Sequence, residues 1–167
     1  MFWLKSGLFA VGLGMSFVYA IIPPLARDLG LSEIQASFIF SLSAVAWAMT
    51  SAPWGRASDK YGRRNIAILG YIGYSISMII LILPMYLADK NILSAALVFP
   101  LLILGRTIYG LLGSATRPAS FAYIADITPK SKRTKKFARF ESNFLLGTLV
   151  GPLLGGSVSY THLRAHE

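Results

Sequence analysis

Long apolar runs separated by short charged breaks extend along the whole chain. Residues 34–54 and 66–88 contain no charged side chain, and each run matches the roughly 20 residues that cross a bilayer core. An earlier run, about 3–22, has Lys5 near its start and Pro23-Pro24 at its end. A later one starts near 93–97 and continues to about 124, and a last one begins near Phe140. The pattern predicts five membrane helices, at about 3–22, 32–54, 65–87, 93–124 and from 140 onward. Ser32-Glu33 supplies an N-cap and a first-turn acid for the second. Arg27-Asp28-Leu29-Gly30 and Ala88-Asp89-Lys90-Asn91 are short polar connections. The first apolar run has too short a basic lead and no cleavage pattern for a signal peptide, so a retained first helix is expected.

Small residues recur on these helices. Gly7, Gly12, Gly14 and Ser16 mark the first as suited to close contacts in lipid. On the second, Ser37, Ser41, Ala44, Ala48, Ala52 and Gly55 form one stripe at three- and four-residue steps. That stripe serves either packing within the same bundle or contact with a further part of the protein. Gly147, Gly151 and Gly155 share a face of the fifth helix, with Pro152 removing a backbone hydrogen bond and Gly156 following.

Composition agrees with a membrane protein: 54% of the 167 residues are hydrophobic and 14% charged, and the mean hydropathy is +0.58. The net charge of +9 does not indicate nucleic acid, because the cations sit in short breaks between spans, where they set orientation. Lys5, four cations in the second break (Arg56, Lys60, Arg63, Arg64) and six more from Lys130 to Arg139 would share one side. Those eleven of sixteen Lys and Arg face two, Arg27 and Lys90, on the other. A cytoplasmic N-terminus follows from that asymmetry, and the inner (cytoplasmic) membrane is the expected location. Cysteine is absent, which excludes disulfides, thiol catalysis and cysteine metal sites. No metal, cofactor or enzymatic constellation is predicted.

Three segments carry candidate chemistry. The first is Gly55-Arg56-Ala57-Ser58-Asp59-Lys60-Tyr61-Gly62-Arg63-Arg64. Gly55 permits close helix approach and Gly62 a positive φ, while Asp59 can pair with Lys60, Arg63 or Arg64 or meet a helix N-terminus. A solvated turn that only sets topology is the plain alternative. The pattern Gly-x-x-x-Asp-x-x-Gly-Arg-Arg resembles the loop between helices 2 and 3 of the major facilitator superfamily of secondary transporters. There it works as a latch between two halves, which the resemblance assigns to Gly55, Asp59, Gly62, Arg63 and Arg64.

The second is Arg106-Thr107-Ile108-Tyr109-Gly110-Leu111-Leu112-Gly113 in the fourth helix. A charge deep in a span costs about 2.5–3.5 kcal/mol on insertion scales, so Arg106 must face a cavity or a partner. The run resembles the family's Arg-x-x-x-Gly-x-x-Gly motif, including Gly110 and Gly113, whose arginine is linked to proton movement; an arginine held for structure is the alternative. The third is Gly147 to Gly156, which resembles the drug-exporter motif Gly-x-x-x-Gly-Pro-x-x-Gly-Gly, through Gly147, Gly151, Pro152, Gly155 and Gly156. Generic glycine packing would give the same spacing. The longer motif has a glycine where this chain has Ala138. Ala122-Tyr123-Ile124-Ala125-Asp126-Ile127-Thr128 is similar to the end of helix 4 in tetracycline efflux proteins, twelve-helix drug/proton antiporters.

The resemblance implies an all-α integral membrane fold: the N-terminal six-helix bundle, represented by helices 1–5 with the fifth cut short. It implies a second half absent from this chain, a small-molecule substrate between halves, protons as coupling ion, and efflux by alternating access. Export or uptake of a sugar, metabolite or siderophore, or a non-transport membrane scaffold, are the other possibilities. Many antiporters carry a carboxylate in helix 1, and this chain has none between Lys5 and Arg27; its acids Asp59, Asp126 and Glu141 lie near the inner surface. Tyr19, Trp47, Tyr109 and Asn143 are candidate substrate-cavity residues. The last ten residues, 158–167, bring two histidines, Arg164 and Glu167 where the fifth helix should still be spanning. They look like a translated sequencing adapter, so residues 1–157 are expected to be the half-domain and 158–167 a non-native tail without function for His162 or His166.

Overall fold

The computed structural model describes residues 2–28, 30–90 and 92–164, with side-chain surroundings up to 154 apart from positions 2, 25, 89 and 95. Among the described residues six α-helices follow one another: α1 Phe2–Asp28, α2 Glu33–Tyr61, α3 Arg63–Asp89, α4 Ala95–Leu111, α5 Thr116–Asp126 and α6 Arg133–Arg164. Short 3-10 turns, Gly113–Ala115 and Lys130–Lys132, precede α5 and α6. Spans Trp3–Asp28, Glu33–Tyr61, Arg63–Ala88 and Ala96–Asp126 are long and apolar enough to cross a membrane. The chain is therefore an all-helical, multi-pass membrane protein.

Several predicted boundaries move. The first helix passes through Pro23-Pro24 to Asp28, since proline's own φ is helical and costs only its N–H bond and some crowding. The stop comes instead at Gly30, with φ +72. There the N–H of Gly30 donates to Arg27 O at 2.9 Å and that of Leu31 to Ala26 O at 2.8 Å, a Schellman closure of the last turn. The basic segment after α2 is not a loop: α2 stays helical to Tyr61, and one residue, Gly62 with φ +94, separates it from α3. Likewise the last helix starts at Arg133 rather than Phe140. Lys and Arg are good helix formers, so basic flanks that hydropathy reads as loops simply extend the helices beyond the apolar core.

The helices form two compact units, one of α1 with α6 and the other of α2 to α5. In the first, α1 turns Leu4, Leu8, Val11, Val18, Ile22 and Ala26 inward and α6 contributes Phe140. Glycines let the backbones touch. A Cβ on Gly12 would collide with Phe144 O, and one on Gly147 with Phe9 O and, at 2.7 Å, Leu13 N. One on Gly151 would meet Ser16 Oγ and, at 2.6 Å, Leu13 O. Gly155 and Gly156 fall beyond the positions whose surroundings are described, as do the side chains of the expected tail; α6 is helical to Arg164.

In the second unit, α3 packs on α4 and α5, around Ile66, Ala67, Ala115 and Ala119, with Trp54, Ala57 and Leu69 against them. The predicted fourth helix is broken here. Pro118 cannot donate to Ser114 O, and its ring crowds that carbonyl, so the chain tightens through Gly113–Ala115 and restarts with Pro118 in the first turn of α5, where its missing N–H costs nothing. Ala115 N–H turns to Leu112 O at 3.1 Å, leaving Leu111 O to others. Inside a bilayer such carbonyls must find donors, and α2 brings them. Trp54 Nε1 donates to Leu111 O at 2.6 Å, while Thr50 Oγ1 lies 2.9 Å from Gly110 O and 2.8 Å from Ser114 Oγ.

Candidate functional site: an ion-pair node and a buried arginine

The basic motif places its charges at the ends of three helices. Arg63 opens α3 and pairs with Asp59 in the last turn of α2. Its Nε donates to Asp126 Oδ2, at the end of α5, at 2.9 Å. Nη1 also donates to Ser58 Oγ at 3.2 Å, and that hydroxyl, buried, donates in turn to Gly55 O at 2.7 Å. One guanidinium thus ties α2, α3 and α5 together, using the fork that makes arginine rather than lysine suited to bridging carboxylates. The carboxylates stay open to solvent, Asp59 at 60% and Asp126 at 55% side-chain exposure. Exposed pairs contribute about 0–1 kcal/mol each, so this node orders the helix ends yet opens at little cost.

The other motif members differ in what they do here. Gly62 takes the left-handed backbone that separates α2 from α3. Gly55 is not tightly approached within its unit: a Cβ would reach Pro118 Cβ only at 4.0 Å. Arg64 is exposed, and Lys60 Nζ stands 5.3 Å from the centre of the Tyr61 ring. Asp126, named from the sequence as an acid near the inner surface and as part of the Ala122–Thr128 stretch, proves to be the second partner of Arg63; a separation of 63 residues left no local signal of that pairing beyond opposite charge.

Arg106 is 1% exposed, the largest fully buried side chain described. Its Cζ lies 5.2 Å from the ring centre of Phe40 on α2 and 4.9 Å from that of Tyr109, one turn along α4. Tyr74 of α3 meets Tyr109 edge-on, 6.0 Å between centroids at 70°. Ring faces attract a cation through their quadrupole, by about 2 kcal/mol or more when water is excluded, and the two rings help hold this charge among apolar helices.

Gly110 lets α2 reach α4: a Cβ there would sit 2.7 Å from both Ser43 O and Ala46 Cβ. Gly113 belongs to the 3-10 turn, where a Cβ would come 2.8 Å from Tyr109 Cδ2. The packing face of α2 is therefore Ile39, Ser43, Ala46, Thr50 and Trp54. The small-residue stripe points elsewhere, with Ser37, Ser41, Ala44, Ala48 and Ala52 all exposed.

The antiporter-type glycines Gly147 and Gly151 lie in the α1–α6 seam, and Pro152 beside them is exposed. The four cavity candidates divide between units. Tyr19, 47% exposed, and Asn143, whose amide donates to Arg139 O at 2.5 Å, belong to the first. Trp47 and the buried Tyr109 belong to the second, where Trp47 N would lie 3.3 Å from a Cβ on Gly110.

Comparison with known proteins places this arrangement. The model of the Major Facilitator Superfamily matches residues 6–165. The tetracycline resistance protein, class B, of Escherichia coli is 35% identical over 147 residues, covering 86% of this chain and 33% of that protein. The quinolone resistance protein NorA of Staphylococcus aureus is 28% identical over 155 residues, 93% of this chain and 37% of its own length. An uncharacterized MFS-type transporter of Methanocaldococcus jannaschii is 29% identical over 154 residues, 92% and 36% respectively. The chain spans about a third of the length of these relatives. With the family model running over nearly all of its residues, the chain belongs to the Major Facilitator Superfamily.

Proposed function

We propose that the chain is the N-terminal part of a secondary transporter that exports a small molecule in exchange for protons by alternating access. The observation that carries this reading is the Arg63 node: one exposed, easily opened guanidinium bridge joining three helix ends. Such a node suits a latch made in one access state and released in the other. The exposed small-residue stripe of α2 and the unused space at Gly55 suit approach of a second half carried by the complete protein. Arg106 is the proton-coupling candidate; Tyr19, Trp47, Tyr109 and Asn143 remain the cavity candidates, and 158–167 remains proposed as non-native. The printed names of two relatives make tetracycline and a quinolone the first probes.

Asp59→Asn keeps the shape but removes one charge from the node. In the complete protein it is expected to lower proton-driven uptake of tetracycline or a quinolone into inside-out vesicles by up to about fivefold, equivalent to the ~1 kcal/mol that an exposed pair can contribute, with membrane abundance unchanged. Parental uptake by the variant would rule out the latch role.

Orientation has its own test. The eleven-to-two division of cations puts Lys60 and Lys132 in the cytoplasm of an inner membrane, and this chain contributes no cysteine of its own. Lys60→Cys and Lys132→Cys are expected to react with an impermeant maleimide in inside-out vesicles and to stay unlabelled in intact cells. Labelling from outside intact cells would reverse the topology.

A further inference from the structure

We infer that Phe40 and Tyr109 form an aromatic clamp that positions the guanidinium of Arg106 and keeps its charge in place inside the bundle, with Tyr74 as the backstop of Tyr109. The inference deepens the proton-coupling role proposed for Arg106 and rests on that reading for its functional consequence, though not for its geometry.

The clamp is built from three helices. Phe40 comes from α2, Tyr109 from α4 and Tyr74 from α3. Arg106 Cζ lies 5.2 Å and 4.9 Å from the first two ring centres, within the reach of about 6 Å at which a ring face attracts a cation. The edge-on contact of Tyr74, 6.0 Å from the Tyr109 centroid, fixes the second ring. Tyr74 and Tyr109 are each 7% exposed and Arg106 1%, so water screens the arrangement little. The guanidinium meets Tyr109 on its own helix and Phe40 on α2, which does not titrate, and interacts electrostatically with Tyr74 on α3.

The choice of rings has a chemical consequence. The attraction of ring faces does not itself cancel the charge of a cation, and the field of a guanidinium positioned by them favours the deprotonated form of a protonatable group nearby. Positioning by rings also links that field to helix packing. Phe40 sits on α2, whose outward stripe is exposed, so a shift of α2 along α4 would loosen one side of the clamp and move the charge. Tyr109, a cavity candidate by its residue type, thereby gains a role in holding the arginine.

Two measurements on the complete protein test this. The first needs no substrate. With arginine labelled by nitrogen-15 in lipid nanodiscs, the Arg106 Nε–H signal, identified by its loss in Arg106→Lys, is expected upfield of the other arginines because of the two ring currents. Phe40→Leu, or Phe40→Met should the leucine variant fail to assemble, is expected to abolish most of that upfield shift, and Phe40→Trp to retain it. An Arg106 signal unmoved by losing the Phe40 ring overturns the clamp, whatever the protein transports.

The second reads the pH dependence of tetracycline uptake into inside-out vesicles. Phe40→Leu is expected to move the pH of half-maximal uptake by about one unit, a tenfold change in proton affinity, with parental abundance, and Phe40→Trp to restore the parental profile. If Arg106→Leu abolishes uptake while Phe40→Leu keeps the parental profile, the positioning role is wrong. Should Arg106→Leu itself transport normally, the coupling role of Arg106 falls, and the signal shift alone then decides whether the clamp exists as a structural device.

Discussion

Gly147→Leu is expected to abolish the α1–α6 pair and with it the accumulation of folded protein. A Cβ at this position already meets Phe9 O and Leu13 N, which are backbone atoms that cannot rotate away as a side-chain tip would. Leucine adds three further carbons to that collision. Overpacking a filled core costs about 1–3 kcal/mol when side chains can adjust, and here α1 itself would have to retreat, opening the seam that Gly12, Gly147 and Gly151 close. In lipid the apolar faces gain no hydrophobic free energy from association, so close backbone packing carries much of the attraction between helices. Detergent-purified complete protein carrying Gly147→Leu is expected to lose its cooperative unfolding transition and most of its yield. Gly55→Ala is the control: its Cβ would find only Pro118 Cβ at 4.0 Å, and near-parental thermal stability is expected. Equal loss in both variants would show that glycine substitution on these helices is harmful for some reason other than the seam.

That seam was legible in the sequence as spacing, since Gly147 and Gly151 stand four apart and Gly12 and Ser16 likewise. Partnership was not, because a small-residue face does not say which helix it meets. The same limit appears on α2. Its stripe of Ser37, Ser41, Ala44, Ala48 and Ala52 suited either an internal or an external contact, and the structure uses the neighbouring face, Ser43, Ala46 and Thr50, for packing on α4. The first four spans were plain in the apolar runs, whereas their ends were not. Hydropathy reports the thickness of the hydrocarbon core, while helices such as α2 and α6 continue into basic flanks that water can solvate. The break at Gly113–Ala115 did have a sign in Pro118, which the reading of 93–124 as one span passed over.

The site divides in a similar way. Local motifs disclosed Asp59, Gly62, Arg63 and Arg106, because their spacing is short. Asp126 was visible as an acid but not as the partner of Arg63, and Phe40 and Tyr74 were not singled out at all among ten phenylalanines and eight tyrosines. A ring that faces a cation from another helix has no sequence spacing to betray it. Thr50 and Trp54 were hidden for the same reason, since their value lies in carbonyls exposed by a break elsewhere in the chain.

Arg106→Leu is expected to leave the complete protein inserted and abundant while abolishing proton-linked export. Insertion should not suffer, because the substitution removes a charge whose cost at the centre of a span is about 2.5–3.5 kcal/mol. Phe40 and Tyr109 present ring faces to this position, against which leucine can pack. What disappears is the one cation buried between these rings, and with it any bias on a protonatable group nearby. Coupling energies between linked sites run about 1–3 kcal/mol, roughly 5- to 150-fold, so tetracycline uptake driven by a proton gradient should drop to the upper end of that range or beyond. Arg106→Lys keeps the charge but loses the flat guanidinium that stacks between the rings, and is expected to retain partial uptake with a displaced pH profile. The measurement is uptake into inside-out vesicles over a pH series, with abundance quantified in the same membranes. Parental uptake by Arg106→Leu at every pH would make the arginine a structural element only. Loss of uptake with abundance intact, and partial rescue by lysine with a displaced pH profile, is the pattern that a coupling cation requires.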